Sequence, residues 1–206
     1  MRRDFQPQLD PVRIASLRPT QMTVGFREVE RKRLAWRKRA EVDGPDFLGR
    51  HMVPAVIGPG RHYFLIDQHH LLRALHEEGV SHVLVSVVAD LGGLAKPLFW
   101  TFMDKRNWLH PFDAEGERHD HDRIPKKIGD LTDDPYRSIA GELRRCGGYA
   151  KVDTPYSEFL WADFMRRRIP RKLVDKAFER ALGKALDLAH HKDADYLPGW
   201  CGREDG

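Results

Sequence analysis

The chain has 206 residues, of which 32% are charged and 41% hydrophobic, and its formal net charge is +4 at pH 7. This length suffices for one domain with a substantial core, or for one domain with a helical extension. No apolar run approaches the ~20 residues that a membrane span needs, and no apolar leader follows Met1, so the sequence predicts a soluble, cytoplasmic protein with no membrane partner. Two widely separated cysteines argue against a disulfide framework or a cysteine-only zinc site.

The N-terminal quarter combines short β-type runs with one basic helix. We expect an irregular arm over residues 1–11, a short strand over 12–17, a helix over 26–39 and a loop over 43–49. The helix carries the basic runs Arg31-Lys32-Arg33 and Arg37-Lys38-Arg39. Such runs are more typical of a solvated helix face than of a nucleic-acid site, although phosphate binding stays open.

The middle of the chain predicts a hairpin followed by a helix and a strand. Two apolar runs, 53–57 and 63–66, flank the turn residues Gly58-Pro59-Gly60. Residues 68–78 carry apolar side chains at helical spacing, and 80–89 is the most β-rich run of the chain. We expect this last strand to be buried and to pair with the strand that ends at Asp67.

The C-terminal half is predominantly helical by pattern. Helices are predicted over 97–108, 135–146, 156–168 and 171–191, with a long loop over 110–125. The His119-Asp120-His121-Asp122 run in this loop has the composition of a metal site, but a loop without a scaffold favours a plain polar segment. The whole pattern predicts an α+β fold, in which a small mixed β-sheet with interleaved helices spans residues 1–126 and a helical extension, packed on it, spans 127–206.

One strand-to-helix turn concentrates polar groups that suit an anion. Asp67 stands between the two elements and is a good N-cap, and His69 and His70 follow it. Backbone donors at a helix start bind phosphate oxygens, and an adjacent aspartate can hold Mg²⁺. An imidazole can donate to a phosphoryl oxygen or shuttle a proton.

This stretch resembles a known superfamily. The run L-I-D-Q-H-H-L-L-R-A-L-H-E-E-G, residues 65–79, is similar without a gap to the strand, phosphate-binding turn and helix of the ParB and sulfiredoxin superfamily. Asp67, Arg73, Ala74 and Gly79 match its pattern, while Gln68 replaces a glycine. Other segments in the right order resemble the ParB-like nuclease group, namely Thr23-Val24-Gly25, Arg27-Glu28-Val29, Asp134-Pro135-Tyr136-Arg137 and Gly147-Gly148-Tyr149.

The resemblance implies metal-assisted phosphoryl chemistry on a nucleotide or nucleic-acid phosphate, with Mg²⁺ and a nucleotide as expected cofactors. The predicted catalytic residues are Asp67, which would also hold the metal, His69, His70 and Glu28. The predicted phosphate-binding residues are Gln68, His69, His70, Arg73, Arg27 and Lys32.

Two other functions remain open. The free-serine kinases of the superfamily have a similar turn, but the carboxylate they carry after the first strand falls here on Gln21, which cannot act as a general base. Glu28 or Glu30 would then have to activate the hydroxyl. The second alternative is a non-catalytic nucleotide-binding switch or interaction module. Sulfiredoxin chemistry is disfavoured because His69 stands in place of the cysteine, and centromere binding because no helix-turn-helix is recognisable.

Overall fold

The computed structural model describes residues 9–43 and 52–202. The first eight residues of the predicted arm and residues 44–49 of the predicted loop lie outside this part of the chain. The chain forms two compact units. Unit 1 comprises 9–23, Val29–Asp113 and Arg118–Thr132, and unit 2 comprises Val24–Glu28, Ala114–Glu117 and 133–202. The predicted division at residues 126 and 127 stays a prediction.

The described residues contain strands and helices in mixed order, which makes the fold α+β, as predicted. The strands are β1 Leu9–Arg13, β2 Thr23–Val24, β3 Val53–Ile57, β4 Tyr63–Leu65, β5 His82–Asp90 and β6 Thr132–Asp133. The helices are α1 Phe26–Asp43, α2 His69–Glu77, α3 Lys96–Lys105, α4 Pro135–Arg145, α5 Ser157–Arg166, α6 Arg171–Lys176 and α7 Phe178–Ala189.

Four strands form the mixed sheet of unit 1 in the order β1-β5-β3-β4, and β2 and β6 pair in a second sheet of two strands. The predicted hairpin is confirmed, since β3 and β4 pair antiparallel across the tight turn. The predicted partner of β5 was wrong: β5 pairs antiparallel with β1 and parallel with β3. The hairpin places β4 on one edge of β3, so only the other edge of β3 is left for β5.

Two predicted boundaries and the predicted burial of β5 were also wrong. The first strand begins at Leu9 and ends at Arg13, where a 3₁₀ turn over Ile14–Ser16 follows. β5 is buried only in its first half, and Val88 in its second half is 49% exposed. The helix expected over 171–191 is divided into α6 and α7, because Ala177 has φ −149° and ψ 63°, which is not helical.

The basic residues of α1 are partly neutralised within unit 1. The carboxylate of Glu78 accepts hydrogen bonds from Arg33 at 2.7 Å and from Arg37 at 2.7 and 2.8 Å. Arg33 also pairs with Glu30 at 2.8 Å. The hydrogen bonds from Arg37 and Arg33 lower the pKa of Glu78. The arginine runs therefore form a solvated face in which acidic partners take up part of the charge.

Unit 1 has a core beside the end of the hairpin. Phe64 of β4 packs against Phe99 of α3, with ring centroids 4.8 Å apart. The fully or nearly buried residues around them are Val56, Met103, Leu109 and Ile124. This packing fixes β4, and so fixes where the chain leaves the sheet to begin α2.

Unit 2 has a separate core built mainly from its helices. Trp161 of α5 is fully buried and stacks on Tyr149, with centroids 4.5 Å apart and rings inclined by 13°. The Trp161 indole donates to the carbonyl of Pro198 at 2.8 Å, and the Tyr149 hydroxyl donates to Ala140 at 3.1 Å. These two aromatic side chains thus serve packing, with their polar atoms satisfied.

Gly25 is required by close approach within unit 2. A Cβ at this position would lie 2.7 Å from Ser138 Oγ and 2.8 Å from Ser138 N. We expect Gly25→Ala to lower the free energy of unfolding by about 1–3 kcal/mol, because the backbone of α4 has to shift. Gly183 on the exposed face of α7 meets nothing within 4 Å, so Gly183→Ala is the control and should be neutral or stabilising. Urea unfolding of both variants measures the difference.

Candidate functional site

The site predicted from sequence is the turn between β4 and α2. Gln68 is the N-cap residue of α2 and has left-handed φ 63° and ψ 25°. The prediction that Asp67 is the N-cap was wrong, because its carboxylate Oδ1 instead accepts from the adjacent Gln68 N at 2.6 Å. A left-handed residue explains why the superfamily pattern has glycine here. Gln68 is held in this conformation by a bond from its Nε2 to Met52 O at 2.9 Å.

The connection between β4 and α2 places the start of the helix at the end of the sheet. The first hydrogen bond of the helical pattern runs from Leu72 N to Gln68 O at 3.0 Å. The amides before it have no carbonyl four residues back within the helix, and the helix dipole gives this end a partial positive charge. Asp67 is exposed beside it. An exposed carboxylate thus lies next to amides that favour an oxyanion.

The two histidines of the turn occupy different environments. His69 is 5% exposed, and its Nε2 lies 3.1 Å from the backbone N of Thr20. A backbone N–H can only donate, so Nε2 must be the acceptor and a neutral ring must carry its proton on Nδ1. His70 is half-buried at the second position of the helix. His69 therefore acts as a brace, since it holds the segment around Thr20 through this hydrogen bond.

The segment that His69 holds contains Gln21, its one residue that was singled out from the sequence as a site residue. It runs parallel to β4, through Arg18 N to Tyr63 O and Leu65 N to Arg18 O, both at 2.9 Å. The Thr20 hydroxyl continues the contact by donating to Leu65 O at 2.5 Å. Sequence reasoning missed Thr20, and a single sequence carries no signal for a partner 49 residues away.

Arg73 lies one turn further along α2. Its Nε donates to Glu77 at 2.7 Å, an i, i+4 pair, and its Nη1 donates to Leu131 O at 2.5 Å. The side chain is 15% exposed. These bonds anchor Arg73 within unit 1, and its phosphate-binding role stays a prediction.

The remaining predicted residues lie on or near the first turns of α1. Glu28 belongs to unit 2, is 7% exposed and accepts from Arg145 Nη1 at 2.7 Å. The Arg27 guanidinium lies 3.7 Å from the centroid of the Phe178 ring, also within unit 2. Lys32 is half-buried in α1. Asp67, Gln68, His69 and His70 are consecutive residues of one turn. The described contacts of Arg27 and Glu28 instead lie within unit 2, and the roles of these two residues in chemistry stay predictions.

No ready-made metal centre is found in residues 9–43 and 52–202, since no group of three or more His, Cys, Asp or Glu side chains converges there. His119 pairs with Asp113 at 2.6 Å, and His121 stacks on Trp100 with centroids 4.8 Å apart. The two histidines of this loop thus have separate partners. Cys146 and Cys201 are both unpaired thiols.

Membrane insertion has no support from the helices. Within the described ranges, none of them combines the length and apolar character that a bilayer crossing requires.

The mixed sheet and the turn between β4 and α2 define a ParB-like domain. The chain belongs to the family described as "Putative ParB-like nuclease", whose model matches residues 10–167. The protein Atu1540 from Agrobacterium tumefaciens is similar in structure, with 55% sequence identity and a TM-score of 0.91 over 97% of this chain and 100% of that one.

A more distant match is a C-terminally truncated chromosome-partitioning protein ParB from Caulobacter crescentus, crystallised with CTP-γ-S. It shares 11% sequence identity with this chain. The TM-score is 0.33 over 91% of this chain and 94% of that one. No curated protein matches the chain.

Proposed function

We propose that unit 1 binds a phosphate group of a nucleotide or nucleic acid at the N-terminal end of α2, and that this phosphate undergoes metal-assisted phosphoryl chemistry. The observation that carries the proposal is the Asp67-Gln68 turn, in which a left-handed residue opens the helix beside an exposed carboxylate. A helix start of this kind stabilises an oxyanion through its amides and its dipole. Family membership supports the proposal, since the ParB-like resemblance implies an anchored phosphate.

The donor set fits Mg²⁺ in one arrangement. Asp67 is a single carboxylate, and no all-protein cage is present in the described part of the chain. Mg²⁺ commonly binds through one or two carboxylates together with phosphate oxygens of the substrate. Asp67 would therefore hold the ion jointly with the bound phosphate, and the ion would offset the repulsion between the carboxylate and that phosphate.

The two histidines divide the work in this proposal. His69 keeps the Thr20 segment in place, because its Nε2 is committed to the Thr20 amide. His70, half-buried at the second helical position, is the imidazole assigned to donate to a phosphate oxygen or to transfer a proton. In this proposal His69 is a positioning residue, and its catalytic role stays a prediction.

The kinase alternative receives less support. Gln21 stands in place of the carboxylate, and Glu28, the proposed substitute base, is paired with Arg145 at 2.7 Å. Glu30 is paired with Arg33 at 2.8 Å. Neither residue is well placed to activate a hydroxyl, because each carboxylate is held by a guanidinium and would first have to give up that ion pair.

A thermal-shift screen tests the proposal. We expect a ligand at 100 times its Kd to raise the Tm by roughly 5–10 °C, from about 2.7 kcal/mol of linkage and about 2–4 °C per kcal/mol. The screen uses nucleotides, inorganic pyrophosphate and oligonucleotides, each with and without Mg²⁺. His70→Ala should weaken binding about tenfold, because a hydrogen bond to a charged group contributes about 1.5 kcal/mol.

The matched control is His76→Ala, which removes an exposed histidine from the last turn of the same helix and should leave binding unchanged. Mg²⁺-dependent nicking of plasmid DNA would identify a nuclease, release of phosphate from a nucleotide a phosphohydrolase, and binding without turnover a switch. A wild type that none of these compounds stabilises would contradict the proposal.

A further inference from the structure

Gln21 carries a buried amide that the fold leaves unsatisfied. The residue is 7% exposed, and its Nε2 has no hydrogen-bond partner in the part of the chain that the structure describes. Buried polar groups in folded proteins are nearly always partnered, and an unpartnered donor lowers stability. The neighbouring Thr20 is satisfied through both its N and its Oγ1, so the deficit belongs to the Gln21 side chain alone.

The backbone fixes Gln21 at the candidate site from two sides. On one side, Thr20 bonds to Leu65 O at the end of β4 and to His69, the first residue of α2. On the other side, His110 N donates to Thr20 O at 2.8 Å, and His110 and Gln21 form a parallel bridge. Gln21 therefore lies at the end of the sheet where the chain turns into α2.

A second unsatisfied amide belongs to the turn between β4 and α2. The Oε1 atom of Gln68 is buried without a partner among the described residues, although its Nε2 is bonded to Met52. In unit 1, the other unpartnered buried side-chain atom in the described ranges is Trp100 Nε1 on α3. Two of the three unsatisfied atoms thus belong to the candidate site, but only Gln21 Nε2 is a donor that an oxyanion can satisfy, whereas Gln68 Oε1 can only accept and would need a donor such as a ligand hydroxyl.

We propose that Gln21 Nε2 donates a hydrogen bond to an oxyanion of the ligand at the α2 N-terminus, and so selects for phosphate-bearing ligands. This inference rests on the proposed function and assigns Gln21 a role in it. A carboxamide donates without adding negative charge, and the adjacent helix start also favours an anion. A glutamate at the same position would repel that anion, so glutamine suits a polyanionic ligand.

Two nearly isosteric substitutions test the assignment, with inorganic pyrophosphate plus Mg²⁺ and ATP plus Mg²⁺ as probes. Gln21→Met removes the donor, and we expect the free protein to keep or raise its Tm while the affinity for both probes falls about tenfold. Gln21→Glu adds a charge and should lower the affinity by about a hundredfold. A purely structural glutamine would instead lose stability without a selective loss of affinity.

The control is Trp100→Phe, which removes the unpartnered donor on α3 and should leave both affinities within about twofold. In a second measurement, the side-chain amide resonances of Gln21 in a ¹⁵N-correlated NMR spectrum should shift when pyrophosphate saturates the wild type, and this requires no variant to fold. Unchanged affinity in Gln21→Met, or unmoved resonances, would show that Gln21 Nε2 does not donate to the ligand and would overturn the inference alone. Absence of any binding by the wild type would overturn the proposed function and the inference with it.

Discussion

Replacing Asp134 with alanine is expected to destabilise unit 2 by about 3–5 kcal/mol, the range for breaking a buried ion pair. Asp134 is 2% exposed, and its Oδ2 accepts from Arg166 Nη2 at 2.5 Å. Its Oδ1 also accepts from Tyr136 N at 3.0 Å and caps α4. The alanine variant therefore loses the cap and leaves Arg166 without its most buried partner.

Asp134→Asn removes the charge and keeps one accepting oxygen, so it can accept from Tyr136 N or from Arg166 but not from both. Burial raises the pKa of Asp134 above its usual value, since desolvation outweighs the attraction of Arg166 and Arg137. A folded-state pKa above the unfolded value means that the ionised carboxyl weakens the fold, and that this cost fades as the pH falls toward about 4. The asparagine variant should lose less stability than the alanine variant, because it keeps one of the two hydrogen bonds and most of the side-chain volume, and its stability should fall less steeply with rising pH than that of the wild type.

Hydrogen exchange of peptides from residues 133–200, combined with urea unfolding between about pH 4 and pH 7, measures both effects. The alanine variant should exchange faster throughout α4 and α5. A loss below about 1 kcal/mol in Asp134→Ala would show that Arg166 is satisfied by Asp163 and the Ala114 carbonyl, which it also contacts.

Local patterns were enough to predict much of unit 1. The hairpin followed from Gly58-Pro59-Gly60 between two apolar runs, and α2 followed from apolar residues at helical spacing. The partner of β5 did not follow, because the strand alternation shows which side chains face the core and not which strand edge is open. The break at Ala177 was missed for a related reason: no proline or glycine interrupts the helical pattern there.

The candidate site divides in the same way. Asp67, His69 and His70 are adjacent in sequence, so their grouping was visible directly. The partner of His69 is 49 residues away and that of Glu28 is 117 residues away. Such contacts depend on how the whole chain folds, and they cannot be predicted from one sequence taken alone.

His69→Ala is expected to lower the free energy of unfolding by about 2–4 kcal/mol, and His70→Ala by less than about 1 kcal/mol. His69 is buried, and its removal creates a cavity and leaves the Thr20 amide without its acceptor. His70 is half-buried on the same turn. Two neighbouring histidines should thus differ several-fold in their contribution to stability, measured by urea unfolding of each variant.

His69→Gln provides the rescue that separates bracing from chemistry. A glutamine Oε1 can reach roughly the position of the imidazole Nε2 and accept from Thr20 N, but it cannot shuttle a proton. If His69 is a brace, this variant should recover most of the lost stability and the phosphate binding, whereas His70→Gln should keep stability and still lose turnover. Two results would instead make His69 the reacting imidazole. One is equal stability of His69→Ala and His70→Ala, and the other is loss of turnover in a stable His69→Gln. The hydrogen bond from Thr20 N would then have to break during the reaction.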